Sequence, residues 1–279
     1  MQLVPPDPSC ADVTLPEARR FVEYTAGGDV EEAAHSFSCI AKRGRNGCGF
    51  EQQLEAALKA LTPVDSPLTF TALSPQGHGD TLKGVTPPGR NKGFLRDDAV
   101  LVVVLLSDEE DCSAPDESAR LFDPRDTTVP GQVNVRCGLT ENQALLHGPS
   151  RYIEGLKALK PEAYRSRILF AAATGVPLAT PDGPAVHSGR TALDALLARP
   201  DMQFKVRQNA AAPIDEPVPA CESPRSDGSA APGRRYVEVA KGFGQSGMVS
   251  SICEDQYGPL FEALTVKIAA QLEDAACSP

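Results

Sequence analysis

The sequence lacks the features that mark several large protein classes. Its longest purely apolar run is Ala99 to Leu106, far short of the roughly 20 residues a membrane helix needs. It lacks basic excess: 27 Lys and Arg stand against 37 Asp and Glu, a net charge of −10. That balance argues against nucleic acid and against anionic membrane surfaces as partners. There is no CxxC pair, which removes zinc-ribbon and thioredoxin-type readings. HExxH, Gly-x-Ser-x-Gly and Walker A are absent, and so are the chemistries they carry. Gly44 to Gly49 does contain Gly-x-x-Gly-x-Gly, but it follows a predicted helix rather than a strand. His35, His78, His147 and His187 show no zinc-site spacing. Met1 is followed by Gln-Leu-Val-Pro-Pro-Asp-Pro, with neither the basic nor the apolar stretch of an export signal.

What is present fits a globular chain. The 279 residues are 41% hydrophobic and 23% charged, enough for a buried core. Pro (25) and Gly (23) are abundant, which predicts long irregular loops. Eight cysteines occur, and all but Cys253 lie in or beside turn-rich, polar sequence. An even number so placed favours disulfides and an oxidising, extracytoplasmic compartment. Cys112 and Cys137 flank one loop and are the first expected pair; Cys39 with Cys48 and Cys221 with Cys253 come next.

Hydrophobic periodicity predicts helices over 16–25, 30–43, 50–61, 151–159, 191–198, 235–241 and 259–272. The last presents Leu260, Phe261, Leu264, Ile268 and Leu272 as its inner face. Strands are expected at Ala99–Leu106, Ile168–Ala173 and Met248–Cys253, the first apolar on both faces as in a covered parallel sheet. Residues 62–93 and 112–149 read as long connections. Residues 176–235 read as a loop-rich insertion, partly mobile over 209–233. The alternation predicts a Rossmann-like α/β fold with a parallel sheet flanked by helices.

The sharpest motif is Val102-Val-Val-Leu-Leu-Ser-Asp-Glu-Glu-Asp111: a buried strand delivering a burst of carboxylates at its C-terminal end, where α/β sheets bind ligands. Clustered carboxylates repel unless a cation or solvent relieves them. A hard ion such as Mg²⁺ or Ca²⁺ suits such oxygen ligands; an acidic solvated turn is the alternative.

This strand and Ser107-Asp108-Glu109 resemble the hydrophobic-Thr-Asp-Gly segment of von Willebrand factor type A (VWA) domains. The stretch from Tyr236 to Leu272 resembles the last helix, strand and helix of that fold. Ser107-Asp-Glu-Glu-Asp-Cys-Ser113, Cys48-Gly-Phe-Glu-Gln-Gln-Leu54 and Ser251-Ile-Cys-Glu-Asp255 are similar to segments of bacterial VWA-like cell-envelope and lipoprotein-like proteins. The resemblance implies one VWA-like domain over 1–279, non-catalytic, extracytoplasmic and protein-binding, with a metal-ion-dependent adhesion site. Of that site only Asp108 has a counterpart: no Asp-x-Ser-x-Ser occurs, and no Thr stands near Gly47-Cys48-Gly49. Metal binding is therefore expected to be weak. The strand that carries the first motif in the family is also missing, so the domain reads as N-terminally incomplete. Its Ala99–Leu106 edge would then be open and prone to pair with other chains. A hydrolase using Asp108 to Asp111, or a purely structural envelope protein, are the alternative functions.

Overall fold

The computed structural model describes residues 8–13, 21–41, 49–71, 81–82, 93–180, 184–209 and 212–276. In chain order the elements are α1 (Val30–Ala41), α2 (Gln53–Leu61), β1 (Phe70–Thr71), β2 (Thr81–Leu82), β3 (Leu101–Leu106), α3 (Pro149–Lys157), β4 (Ile168–Thr174), β5 (His187–Ser188), α4 (Arg190–Leu197), β6 (Val206–Gln208), β7 (Asp215–Pro217), β8 (Cys221–Glu222), β9 (Ser229–Ala230), α5 (Arg234–Gly242), β10 (Gly247–Ser251) and α6 (Gly258–Ala276). The main sheet runs β3-β4-β10-β5. β3 and β4 are parallel, with Leu101 opposite Ile168 and Leu106 opposite Ala173; β10 is parallel to β4. The expected all-parallel sheet is corrected to a mixed one, because β5 joins β10 antiparallel. β5 enters from the insertion by a short return, without the helical crossover a parallel strand requires.

The run Ile168–Thr174 is buried along its whole length, as a central strand covered on both faces must be. One face, through Leu101, Val103, Phe170, Ala172 and Val249, packs on α2, α3, α4 and α5, which contribute Leu58, Tyr152, Leu193, Tyr236 and Val237. The other face, through Leu169, Ala171, Ala173 and Met248, packs on α6 through Leu260 and Leu264. Phe261 and Leu272, expected on that inner face, lie more than half exposed instead.

Phe21–Thr25, the described part of the expected first helix, is not helical. Within 209–233, β7 pairs with β6 just before it and β8 pairs with β9. The 112–149 connection contains three 3-10 segments. Among the described residues three disulfides are present. Cys112–Cys137 and Cys221–Cys253 are two of the expected pairs. Cys39 bonds Cys10 rather than Cys48; α1 brings Cys39 to the 3-10 turn ending at Cys10, and Cys48 lies outside the described residues. Among the described residues no helix is long and apolar enough to cross a membrane.

Candidate functional site

β3 ends at Leu106, and the N–H of the next residue, Ser107, still donates to the Ala173 carbonyl (3.1 Å). The four acidic residues that follow have divided fates. Glu110 is buried, and its carboxylate accepts the backbone N–H groups of Arg234 (3.0 Å), Arg235 (3.1 Å) and Asp111 (3.1 Å). Arg234 and Arg235 open α5, so Glu110 caps that helix from another part of the chain; Gly233, at the capping position itself, has no side chain to do so. Burial pushes the Glu110 carboxyl up to about 8, against the opposing pull of Arg235 and the N–H donors.

Asp111 does the same for α2. It accepts the N–H of Leu54 (3.1 Å), the N–H of Ser113 (3.1 Å) and the hydroxyl of Ser113 (2.9 Å). It also faces the Arg235 guanidinium at 3.4 Å, both side chains being fully buried. Burial raises the Asp111 pKa and Arg235 opposes it. Arg235 in turn donates to the His147 carbonyl (2.7 Å). The expected cation site or solvated turn is thus corrected for these two residues: their carboxyl oxygens satisfy two helix N-termini, and Asp111 faces one buried arginine.

Asp108 and Glu109 remain exposed. Crowding of the Glu109 carboxyl by protein atoms, and then the charges of Glu51 and Asp108, raise its pKa. The Asp108 carbonyl accepts the N–H of Ala231 (2.8 Å), and Gly233 donates to the Gly175 carbonyl (2.9 Å). A Cβ on Gly175 would lie 1.7 Å from the Ala231 carbonyl oxygen, and one on Gly233 2.0 Å from Thr174 Oγ1. Only glycine permits these approaches. The returning insertion therefore closes the C-terminal edge of the sheet, the place where an α/β ligand would sit.

Beside it lies a cavity of about 250 Å³. It is lined by Asp108, Glu109 and Glu110, by the Cys112–Cys137 disulfide, and by Phe204 with Arg207 and Glu216 of the β6–β7 ladder. Arg207 on that ladder is paired with Glu216 (2.8 Å).

A polar network supports the loop from below. Gln53 donates to Ser107 Oγ (3.1 Å) and also to Glu51, and Tyr236 donates to Gln53 Oε1 (2.7 Å). The Ser107 hydroxyl faces Glu51 (3.3 Å) and the Glu109 carbonyl (3.1 Å). Ser107, Glu51 and Gln53 are thus engaged with one another, and among the described residues no three His, Cys, Asp or Glu side chains converge on one point. The set does not fit the Mg²⁺ or Ca²⁺ site that the resemblance implies.

Glu51, Gln53, Arg235 and Tyr236 were missed as site residues. The available signal was Arg235 beside Tyr236 on the apolar stripe of α5, an arginine where only a buried partner makes sense. The chain matches no protein-family model, no curated protein and no solved structure at a significant level.

Proposed function

We propose that this chain is a non-catalytic, extracytoplasmic binding module of VWA-like architecture whose ligand is a protein. The observation that carries the reading is the fate of the acidic loop. Its two inner carboxylates are spent on capping α2 and α5, and its two outer ones line a cavity whose one carboxylate from outside the loop, Glu216, is paired with Arg207. Catalysis needs a positioned pair that the loop does not offer. Asp108 and Glu109 then act as acceptors for a basic or amide group of the ligand rather than as metal ligands. Three disulfides among the described residues support an oxidising compartment, and Cys112–Cys137 stiffens the cavity lining, which lowers the entropic cost of binding.

The test is site-specific photocrosslinking in cells that make the protein. A photoreactive residue placed at Arg207, on the cavity rim, is expected to capture one discrete protein adduct, abolished by Asp108→Arg with Glu109→Arg. Absence of any adduct, together with turnover of ester, peptide or glycoside substrates lost in the same variant, would favour the hydrolase instead.

A further inference from the structure

The cavity beside the acidic loop is lined jointly by two pieces of chain. Asn134, Val135 and Cys137 come from one, and Phe204, Arg207 and Glu216 come from the other, the β6–β7 hairpin. The two pieces are held in different ways.

The first piece is fastened to the body. Cys137 is bonded to Cys112. Beside it the buried Arg136 guanidinium donates to the carbonyls of Arg120 (3.3 Å), Leu121 (3.3 Å), Asp123 (2.8 Å), Asp126 (2.7 Å) and Gly131 (3.0 Å). The hairpin instead holds itself together. Val218 N–H donates to the Lys205 carbonyl and Asn209 N–H to the Ile214 carbonyl, both at 2.8 Å. The Arg207 and Asn209 side chains both donate to the Glu216 carboxylate, again at 2.8 Å. Yet every described residue of 203–209 and 212–219 keeps solvent access, whereas Met202 and Ala220 at the two ends are buried.

The contacts between the two pieces lie at the surface. Gln132 donates to the Pro213 carbonyl (3.3 Å) and accepts the Asp215 N–H (3.0 Å), and Asn134 donates to the Asp215 carbonyl. Water competes for such exposed bonds, so each contributes little net stability. The Phe204 ring rests on the bare Cα of Gly138, where a Cβ would come within 1.9 Å of it. A unit that is cohesive inside and weakly attached outside opens as one piece, well before the core does. Its ends are pinned: the Met202 carbonyl accepts from Arg234 (2.9 Å), the Gln203 side chain donates to the Leu197 carbonyl (2.9 Å), and Ala220 N–H donates to the Ala230 carbonyl (2.8 Å). The ladder starts at Lys205 and closes at Val218, which leaves Phe204 and Pro219 as the pivots.

We propose that the β6–β7 hairpin is a lid. It swings about Phe204 and Pro219 to admit the ligand's docking group to Asp108 and Glu109, and Gln132, Asn134 and Gly138 latch it shut. Closure over a bound group slows its release, the usual role of such elements. The role in binding rests on the reading of this cavity as the ligand site. The motion itself is measured without a ligand, so the two ideas fail separately.

The Cys112–Cys137 disulfide is a built-in reporter, because both cysteines are buried and line the cavity under the hairpin. Dithiothreitol is added to the full chain under native conditions. Its thiolate attacks the bridge, leaving two cysteine thiols and the cyclic oxidised reagent. Alkylation and peptide mass spectrometry then follow each bridge. Gln132→Ala with Asn134→Ala, both on exposed side chains, is expected to speed reduction of Cys112–Cys137 about tenfold while Cys221–Cys253 keeps its rate. Gly138→Ala, which pushes the Phe204 ring away and leaves those hydrogen bonds intact, acts in the same direction. In amide hydrogen exchange the Asn209 and Val218 N–H groups of these variants keep their wild-type protection, as a rigid lid requires. An unchanged rate at Cys112–Cys137, equal acceleration of both bridges, or loss of Asn209 and Val218 protection in step with reduction overturns the proposal.

Discussion

Two acidic side chains, Glu110 and Asp111, bind the molecule together. Each reaches the N-terminus of a helix distant in sequence, and Asp111 also neutralises Arg235. Asp111→Ala leaves a buried guanidinium and the Leu54 N–H without their acceptor. A loss of about 3–5 kcal/mol follows, as for other buried pairs broken on one side; urea unfolding measures it, and a loss below about 1 kcal/mol would contradict the capping role. Glu110 sets the pH dependence. Its carboxyl holds a proton more tightly folded, up to about 8, than at its ordinary value of 4.5. Between those values the native state binds more protons than the unfolded chain, so stability is greatest below about 4.5 for this group and falls as pH rises toward 8. Asp111 is raised too and adds to the decline. Glu110→Gln is expected to flatten the slope of unfolding free energy between pH 5 and 8. A wild-type slope that rises over that interval would refute the assignment.

Elements built on local periodicity were legible. α1, α3 to α6, β3, β4 and β10 lie within a few residues of where the apolar spacing places them, because each buries a stripe or a face that the spacing reveals. Two kinds of feature were not. The ladders β6–β7 and β8–β9 are only two or three residues long on each strand, too short for alternation to register, and cross-strand contacts rather than composition order them. The capping of α2 and α5 joins residues 57 and 124 positions apart, and helix-start rules look only at the neighbouring residue. The Cys112–Cys137 bridge holds this long-range arrangement by fixing the far end of the acidic loop to a segment of 3-10 turns. It closes a span of 25 residues, so replacing both cysteines with serine is expected to cost about 3–4 kcal/mol. Thermal melts of the double variant measure this, and a difference too small to resolve would show that the loop is held by its hydrogen bonds alone.

At the scale of the whole molecule, the layered α/β class followed from the order of helices and apolar strands, while the closure of the sheet's ligand-binding edge did not. That closure depends on Ala231 and Gly233 meeting Asp108 and Gly175, a contact between the end of an irregular insertion and the loops after β3 and β4. It has a consequence for divalent cations. A native-state ligand raises stability by RT ln(1 + [L]/Kd), about 4 kcal/mol at a thousand-fold excess over Kd. If Asp108 anchored a micromolar Mg²⁺ or Ca²⁺ site, millimolar ion would therefore lift the melting temperature by many degrees. With Ser107 and Glu51 engaged in their own network and the Asp108 main chain tied to Ala231, the shift expected in 5 mM Mg²⁺ or Ca²⁺ is at most about one degree. Asp108→Ala should leave both that small shift and the stability without ion nearly unchanged, since among the described residues its fold contact runs through its carbonyl. A shift of several degrees abolished by this substitution would mean that the insertion lifts from the sheet edge to admit the ion.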